Sequence, residues 1–353
     1  MVIPGLEIPE WPYFLGKPGA SGVIRCRPED FVVEEISRVK PGGEGGHLWL
    51  WVEKRSANTD WVAGQLAKVC ACRHRDVGYA GLKDRHAVTR QWFSVPVGEA
   101  GGEIFPDAQI EGVRVLESRL HQRKLKRGTL DGNRFELVIR NFDGDVTDTS
   151  QRLERISLTG VPNYFGPQRF GHGGRNVEKA YSLLNRGVRL PRNKKSIYLS
   201  ALRSFLFNQV LAKRVLDGSW DSILGGELVM LNGSHSIFPC EQPDTDIEDR
   251  CRRLDIHPTG PMPGEGGDSP VGMAAALENE ILGVWAELNE VLLAQRVKAS
   301  RRSLRLYPAR LEWKFVDDAL YMGFDLPPGA YATTVLREIL VFSELDRKME
   351  QNR

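Results

Sequence analysis

The sequence predicts an α+β fold in which a strand-rich domain is interrupted by a helix-rich insertion. Three observations carry this expectation. Short β-branched and aromatic runs separated by turn signals recur up to Arg140, helical periodicity dominates from Asp148 to near Ser300, and strand-like patterning returns after Tyr307-Pro308. The 353 residues fit about two domains at roughly 150 residues each.

The elements follow in order. Within SGVIRCRPEDFVVEEI, the turn Arg27-Pro28-Glu29-Asp30 precedes a β-rich run, and His47–Glu53 reads as a further strand. Asn58 or Thr59 is placed to cap a helix whose apolar positions Val62, Leu66, Val69 and Cys70 share one face, with an end expected near Arg75. Strand-like runs follow at Val77–Ala80, Gln91–Val97, Val113–Ser118 and Phe135–Arg140. A helix from Arg152 to Leu158 stops at Gly160, and stronger helices are expected over Ser200–Leu216 and Ala274–Lys298. His257–Gly267 is too rich in Pro and Gly for a regular element and reads as a loop. Leu311–Val316 and Leu320–Phe324 read as strands, and Pro327-Pro328-Gly329 leads into a last helix from Thr333 to Leu345, with the C-terminus rejoining the first sheet.

Composition narrows the function classes. The chain has 48 basic and 46 acidic side chains, a net charge of +2, so any nucleic-acid surface must be local. No apolar run approaches the roughly 18 residues of a membrane span, and the N-terminus lacks a signal-peptide pattern, so the cytoplasm is the expected compartment. Five cysteines suit a reducing environment. Cys70, Cys72 and His74 have no second half at zinc spacing, and Cys70 falls on an apolar helical phase, so a buried thiol is favoured over a metal ligand.

Charge is concentrated in three places. Lys83-Asp84-Arg85-His86 directly follows a strand; a carboxylate between cations favours its ionised form and can act as base, stabiliser or nucleophile, although such a cluster is also a common solvated turn. The run RLHQRKLKR from Arg119 to Arg127 has five basic residues and no acid, an electrostatic track for a phosphate backbone or else a solvated face. Arg296–Arg310 adds six basic residues and no acid, whereas Glu241–Asp249 collects five acids. Aromatic residues beside turns, among them Phe31, Phe135, Tyr164, Phe165 and Tyr331, can stack on unpaired bases, though core packing is the commoner fate. Asn133 can read a base edge or form an Asx turn after Asp131-Gly132.

These signals coincide with one family. RPEDFVVEE around Phe31, Lys54 with Asn58-Thr59, AGLKDRHAVTRQ ending at Gln91, Gly132-Asn-Arg-Phe135 and GVPNYFGPQRFG from Gly160 to Gly171 resemble, in order and spacing, the TruD family of tRNA pseudouridine synthases. Arg203–Asn208, Thr259–Gly264 and Gly329–Glu338 resemble later family blocks, so the likeness covers nearly the whole chain.

The resemblance implies a pseudouridine-synthase-type catalytic domain with a mixed, largely antiparallel sheet and flanking helices, formed by residues 1–158 and 308–353, interrupted by an α-rich TRUD insertion domain over 159–307. It further implies isomerisation of uridine to pseudouridine, at position 13 of certain tRNAs, without cofactor or metal and without an obligatory protein partner. Asp84 matches the catalytic aspartate. Phe31, Asn133 and Tyr331 fall on base-contacting positions, and Phe135 on the residue that stacks on the target ring. The family often has Phe at the position of Tyr331. Arg25 stands near the active-site strand where relatives carry Lys and is a candidate partner for Asp84. Arg25, Lys83, Arg123, Lys124, Lys126 and Arg127 are the expected RNA-binding cations. A different reading keeps the tRNA but not the chemistry: a noncatalytic tRNA-binding or folding protein in which Asp84 is only a turn residue.

Overall fold

In a computed structural model of the chain, residues 6–97, 109–234 and 236–344 are described, apart from the side chain of His172. They form two compact units, one comprising segments 19–149, 308–329 and 340–344, the other segments 6–18, 150–307 and 330–339. The first is the sheet unit. It begins with β1 (Ser21–Ile24), β2 (Phe31–Ser37) and β3 (His47–Arg55).

Helix α1 (Thr59–Val69) packs Val62, Ala63 and Leu66 on Leu48, Leu50 and Val52 of β3. Asn58 occupies the N-cap position, yet its side chain makes no capping bond. The helix ends before Arg75, contrary to expectation. Ala71 takes a left-handed φ of 49° and the Cys72 amide bonds back to the Ala67 carbonyl at 2.9 Å, a Schellman stop built without glycine and therefore silent in the sequence. The strands β4 (Gly78–Tyr79), β5 (Val88–Pro96), β6 (Val113–His121) and β7 (Leu130–Asp143) follow, then α2 (Val146–Thr159).

The helical unit contains β8 (Val161–Pro162), α3 (Asn176–Asn185), α4 (Arg192–Leu216), β9 (Glu227–Leu231), β10 (Ile237–Cys240), α5 (Thr245–Arg252), β11 (Ile256–His257) and β12 (Thr259–Met262). It continues with α6 (Gly272–Val284), α7 (Ala286–Ala294), β13 (Ser300–Ser303) and β14 (Arg305–Leu306). Leu202, Phe205 and Leu206 of α4 sit at the centre of its core, beside Tyr164, Leu288 and Leu292.

Two expectations fail here. The predicted loop His257–Gly267 contains β12, which pairs antiparallel with β13. Its glycine has a packing role: a Cβ on Gly260 would lie 2.7 Å from Leu304 and 3.0 Å from Phe207. The single helix expected over Ala274–Lys298 is broken at Trp285, whose ring packs edge-on against Phe205 at 4.9 Å and turns the chain from α6 into α7.

The chain then supplies β15 (Ala309–Val316) and β16 (Ala319–Leu326) to the sheet unit. The last helix is shorter than expected: α8 (Ala332–Leu336) gives way to β17 (Val341–Glu344), which rejoins the sheet by pairing parallel with β1. The predicted helix end at Leu345 lies outside the described residues. The ten-stranded sheet runs β15-β16-β7-β2-β5-β3-β6, with β1 and β17 beyond β7 and β4 on β5. Only β2/β5 and β1/β17 are parallel, so the sheet is mixed and largely antiparallel.

The segments 6–18 and 330–339 pack with the helical unit, although the sequence groups them with the sheet. Leu6 and Trp11 share its core, and Arg337 donates to the Trp11 carbonyl at 2.6 Å.

Candidate active site

Strand register places a set of chemically distinct side chains on one face of the sheet. Directly paired residues project to the same side. β2 and β7 pair Val33 with Phe135 and Glu35 with Asn133, while β16 and β7 pair Phe324 with Phe135. Across β2, β5 and β3, Val33 pairs with Thr89 and Thr89 with Lys54. Phe31, Phe135 and Phe324 therefore form an aromatic row: Phe31 meets Phe135 edge-on at 6.1 Å, and Phe135 stacks on Phe324 at 5.7 Å. The opposite face carries a different set, in which Arg90 bridges Glu53 and Glu34 at 2.9 and 3.2 Å.

Asp84 lies on the segment joining β4 to β5, and three buried side chains fix that segment. Lys54, fully buried, donates to the carbonyls of Asp84 at 2.7 Å and Ala57 at 2.8 Å. Gln91 donates to the Gly81 carbonyl at 3.0 Å, and the Thr59 hydroxyl accepts from the Lys83 amide at 3.0 Å. With its backbone tied down this way, the Asp84 side chain stays 47% exposed, open to a substrate.

Arg25 completes the geometry. Its Nη2 stands 3.3 Å from Asp84 Oδ1, its Nη1 pairs with Glu344, and its guanidinium lies 3.9 Å above the Phe31 ring. Arg25 adopts a left-handed φ of 57°, unusual for a residue with a Cβ. One cation thus links the candidate carboxylate to the aromatic row.

Several expected site residues take other positions. Lys83 does not face an RNA surface: its side chain is 3% exposed and its Nζ lies 3.3 Å from Glu35, itself fully buried. Burial lowers the Lys83 ammonium and raises the Glu35 carboxyl from their ordinary values, each partly offset by the other's charge. Burial likewise lowers Lys54 to about 8, with Asp84's charge opposing the shift. Phe31 and Phe135 are buried, at 2% and 5% exposure, and Arg25 covers Phe31. Asn133 Oδ1 is buried without a hydrogen-bond partner.

The basic run is partly committed inside the unit. Lys124 donates to the Arg75 carbonyl at 2.6 Å, and Arg127 lies 3.8 Å over the Tyr79 ring. Arg123 and Lys126 are exposed. Tyr331 belongs to the helical unit, where its hydroxyl accepts from Arg169 at 3.1 Å. Among the described residues no three metal-ligating side chains gather, and burial pushes the Cys70 thiol up to about 11.

The sequence reading gave no part in the site to Lys54, Glu35, Thr59 or Gln91. A signal was available: Lys54 continues the inward phase of Leu48, Leu50 and Val52, and Glu35 that of Phe31 and Val33. Charged residues in the buried phase of a strand mark a site or a structural pair.

The fold recurs in a solved structure. The described fold matches the crystal structure of the putative tRNA pseudouridine synthase D (TruD) from Methanosarcina mazei with a TM-score of 0.71 at 21% identity, covering 96% of this chain and 98% of that one. The class is therefore the TruD fold. The chain belongs to the TruD family: the family model described as tRNA pseudouridine synthase D (TruD) matches residues 9–180 and 174–339. Among curated relatives, tRNA pseudouridine synthase D of Nitrosococcus oceani is 47% identical over 92% of this chain and 91% of its own length. That of Methylococcus capsulatus is 45% identical over 95% and 97%.

Proposed function

We propose that this protein isomerises uridine to pseudouridine in tRNA, at position 13, with Asp84 as the acting carboxylate. Family membership supplies the substrate and reaction class. The single observation that supports the residue is the placement of Asp84: an exposed carboxylate on a segment pinned by the buried Lys54, with Arg25 connecting it to Phe31.

The reaction breaks the N1–C1′ bond, turns the uracil and joins C5 to C1′. A carboxylate serves it by adding to C6 or by acting at the ribose, and either role needs a charged oxygen beside an extruded nucleotide. Phe31 and Phe135 offer flat apolar surface to the detached ring, provided Arg25 leaves the Phe31 face. Asn133 Oδ1, buried and unpartnered, is an acceptor suited to the N3–H of uracil. No step calls on a metal or cofactor. The sheet unit, segments 19–149, 308–329 and 340–344, serves as the catalytic unit, and the enzyme works in the cytoplasm.

Asp84→Asn tests the assignment. Product, read as pseudouridine in nucleosides from digested tRNA, falls below detection while tRNA binding persists. Substantial product from this variant would refute the role of Asp84, whereas tRNA binding without any product from the unsubstituted protein would favour a noncatalytic tRNA-binding protein.

A further inference from the structure

The basic tract Arg296–Arg310 largely dissolves into internal partnerships. Arg301 pairs with Glu278, Arg305 donates to the carbonyls of Cys251 and Ile256, and Arg310 pairs with Asp325. Arg302 is different. Its Nη2 donates to Asn163 Oδ1 at 2.6 Å and its guanidinium lies 4.1 Å over the Phe165 ring. A second guanidinium, that of Arg169, lies 5.2 Å from the same ring and donates to the Tyr331 hydroxyl.

Neither arginine has a carboxylate at ion-pair distance among the described residues, and the Nε atoms of both are buried without a hydrogen-bond partner. Burial, with a smaller contribution from the neighbouring Arg169 charge, pushes Arg302 down to about 10. Two adjacent guanidiniums without a counter-ion are costly to hold together. An anion resolves the imbalance, and the planar forks with unused N–H donors match phosphate oxygens. Arg169, Arg302 and Tyr331 are each only partly buried and retain accessible surface.

We propose that Arg169 and Arg302 form a subsite for one backbone phosphodiester of the substrate RNA, beside Tyr331. This rests on the reading of tRNA as substrate. It differs from the expected track at Arg123–Arg127 in being built from buried, preoriented donors of the helical unit.

The test is binding of a fluorescently labelled, unmodified tRNA transcript over a series of KCl concentrations, with Asp84→Asn as the background to prevent turnover. The double variant R169Q/R302Q is expected to bind about tenfold more weakly at low salt, with a log–log salt slope shallower by roughly 0.7–0.9, the loss of one phosphate contact. Arg302→Lys, which retains the charge, is expected to keep the slope. Should Arg302→Gln fail to fold in a thermal melt, Arg169→Gln carries the comparison and is expected to shallow the slope. An unchanged slope in the folded variants overturns the subsite. Pseudouridine formed by the unsubstituted enzyme on the same transcript separates the two failures: product with an unchanged slope refutes only the subsite, and no product refutes the function on which it rests.

Discussion

Lys54 is the residue through which the interior of the sheet unit positions the candidate carboxylate, and Lys54→Met isolates that role. Methionine keeps most of the stem's volume and removes the ammonium. Two charge-assisted bonds, at 2.8 Å to Ala57 and 2.7 Å to Asp84, are lost at about 1.5–3 kcal/mol each. Against this stands the cost of burying the charge. A fall from 10.5 to about 8 corresponds to about 3 kcal/mol at neutral pH, at 1.36 kcal/mol per pH unit. The net loss of stability is therefore small, between about 0 and 3 kcal/mol, and the variant is expected to fold. Its activity is expected to fall about 100-fold, since displacement of a reacting group by about 1 Å is enough for that. The assay is single-turnover pseudouridine formation on a tRNA transcript, paired with urea unfolding. Stability also carries a pH signature. Between pH 8 and 10.5 the unfolded chain holds a proton that folded Lys54 has released, so wild-type stability gains on the variant as pH rises through that window. Activity within threefold of wild type in a folded Lys54→Met protein would refute the positioning role.

The Lys83–Glu35 pair makes a complementary case: Glu35→Ala leaves a buried ammonium unpaired and is expected to cost about 3–5 kcal/mol in urea unfolding, whereas the double change K83M/E35L is expected to restore most of it. Equal losses in the single and double variants would contradict the pairing. Glu338 is fully buried, accepts from the Phe14 amide and pairs with Arg337, and burial raises its carboxyl from 4.5 to about 7. Its folded form therefore retains a proton between those pH values that the unfolded chain has lost. This group contributes a decline in stability of about 3 kcal/mol as pH rises through the window. Unfolding titrations at pH 5 and pH 8 should show the decline in wild type and lose it in Glu338→Gln, and parallel pH profiles would rule it out.

Much of the sheet unit was legible because its strands obey a period of two. In β2 the same alternation that buries Phe31 and Val33 also buries Glu35, so the pattern located the strand but not the purpose of its acid. Asp84 was singled out through a motif. Lys54 and Lys83 show why the remainder was not. Both are lysines near the turn in space, and nothing local distinguishes a lysine that reaches solvent from one that reaches inward; that is decided by register with β5 and by the carbonyls and carboxylates the fold delivers. The missed stop of α1 at Ala71 uses neither glycine nor proline and is set by backbone bonds formed only in the folded chain, and at the break at Trp285 the ring packs against Phe205 two residues after Gly283.

The position of Arg25 bears on how the proposed site admits a base. The guanidinium that stands beside Asp84 also occupies the face of Phe31 and pairs with Glu344. A uracil that stacks on Phe31 must take that place. The exchange gives up a cation–π contact of about 0.5–2 kcal/mol and gains a base–aromatic contact of about 1–3 kcal/mol, so it is close to balanced on the ring alone. Its direction is then set by charge. The guanidinium also pairs with Asp84 and Glu344, and those carboxylates favour keeping the cation near the site when it leaves the ring. In the free protein the same residue covers the aromatic face and stands beside the carboxylate, so the apolar row is buried where a base would have to stack.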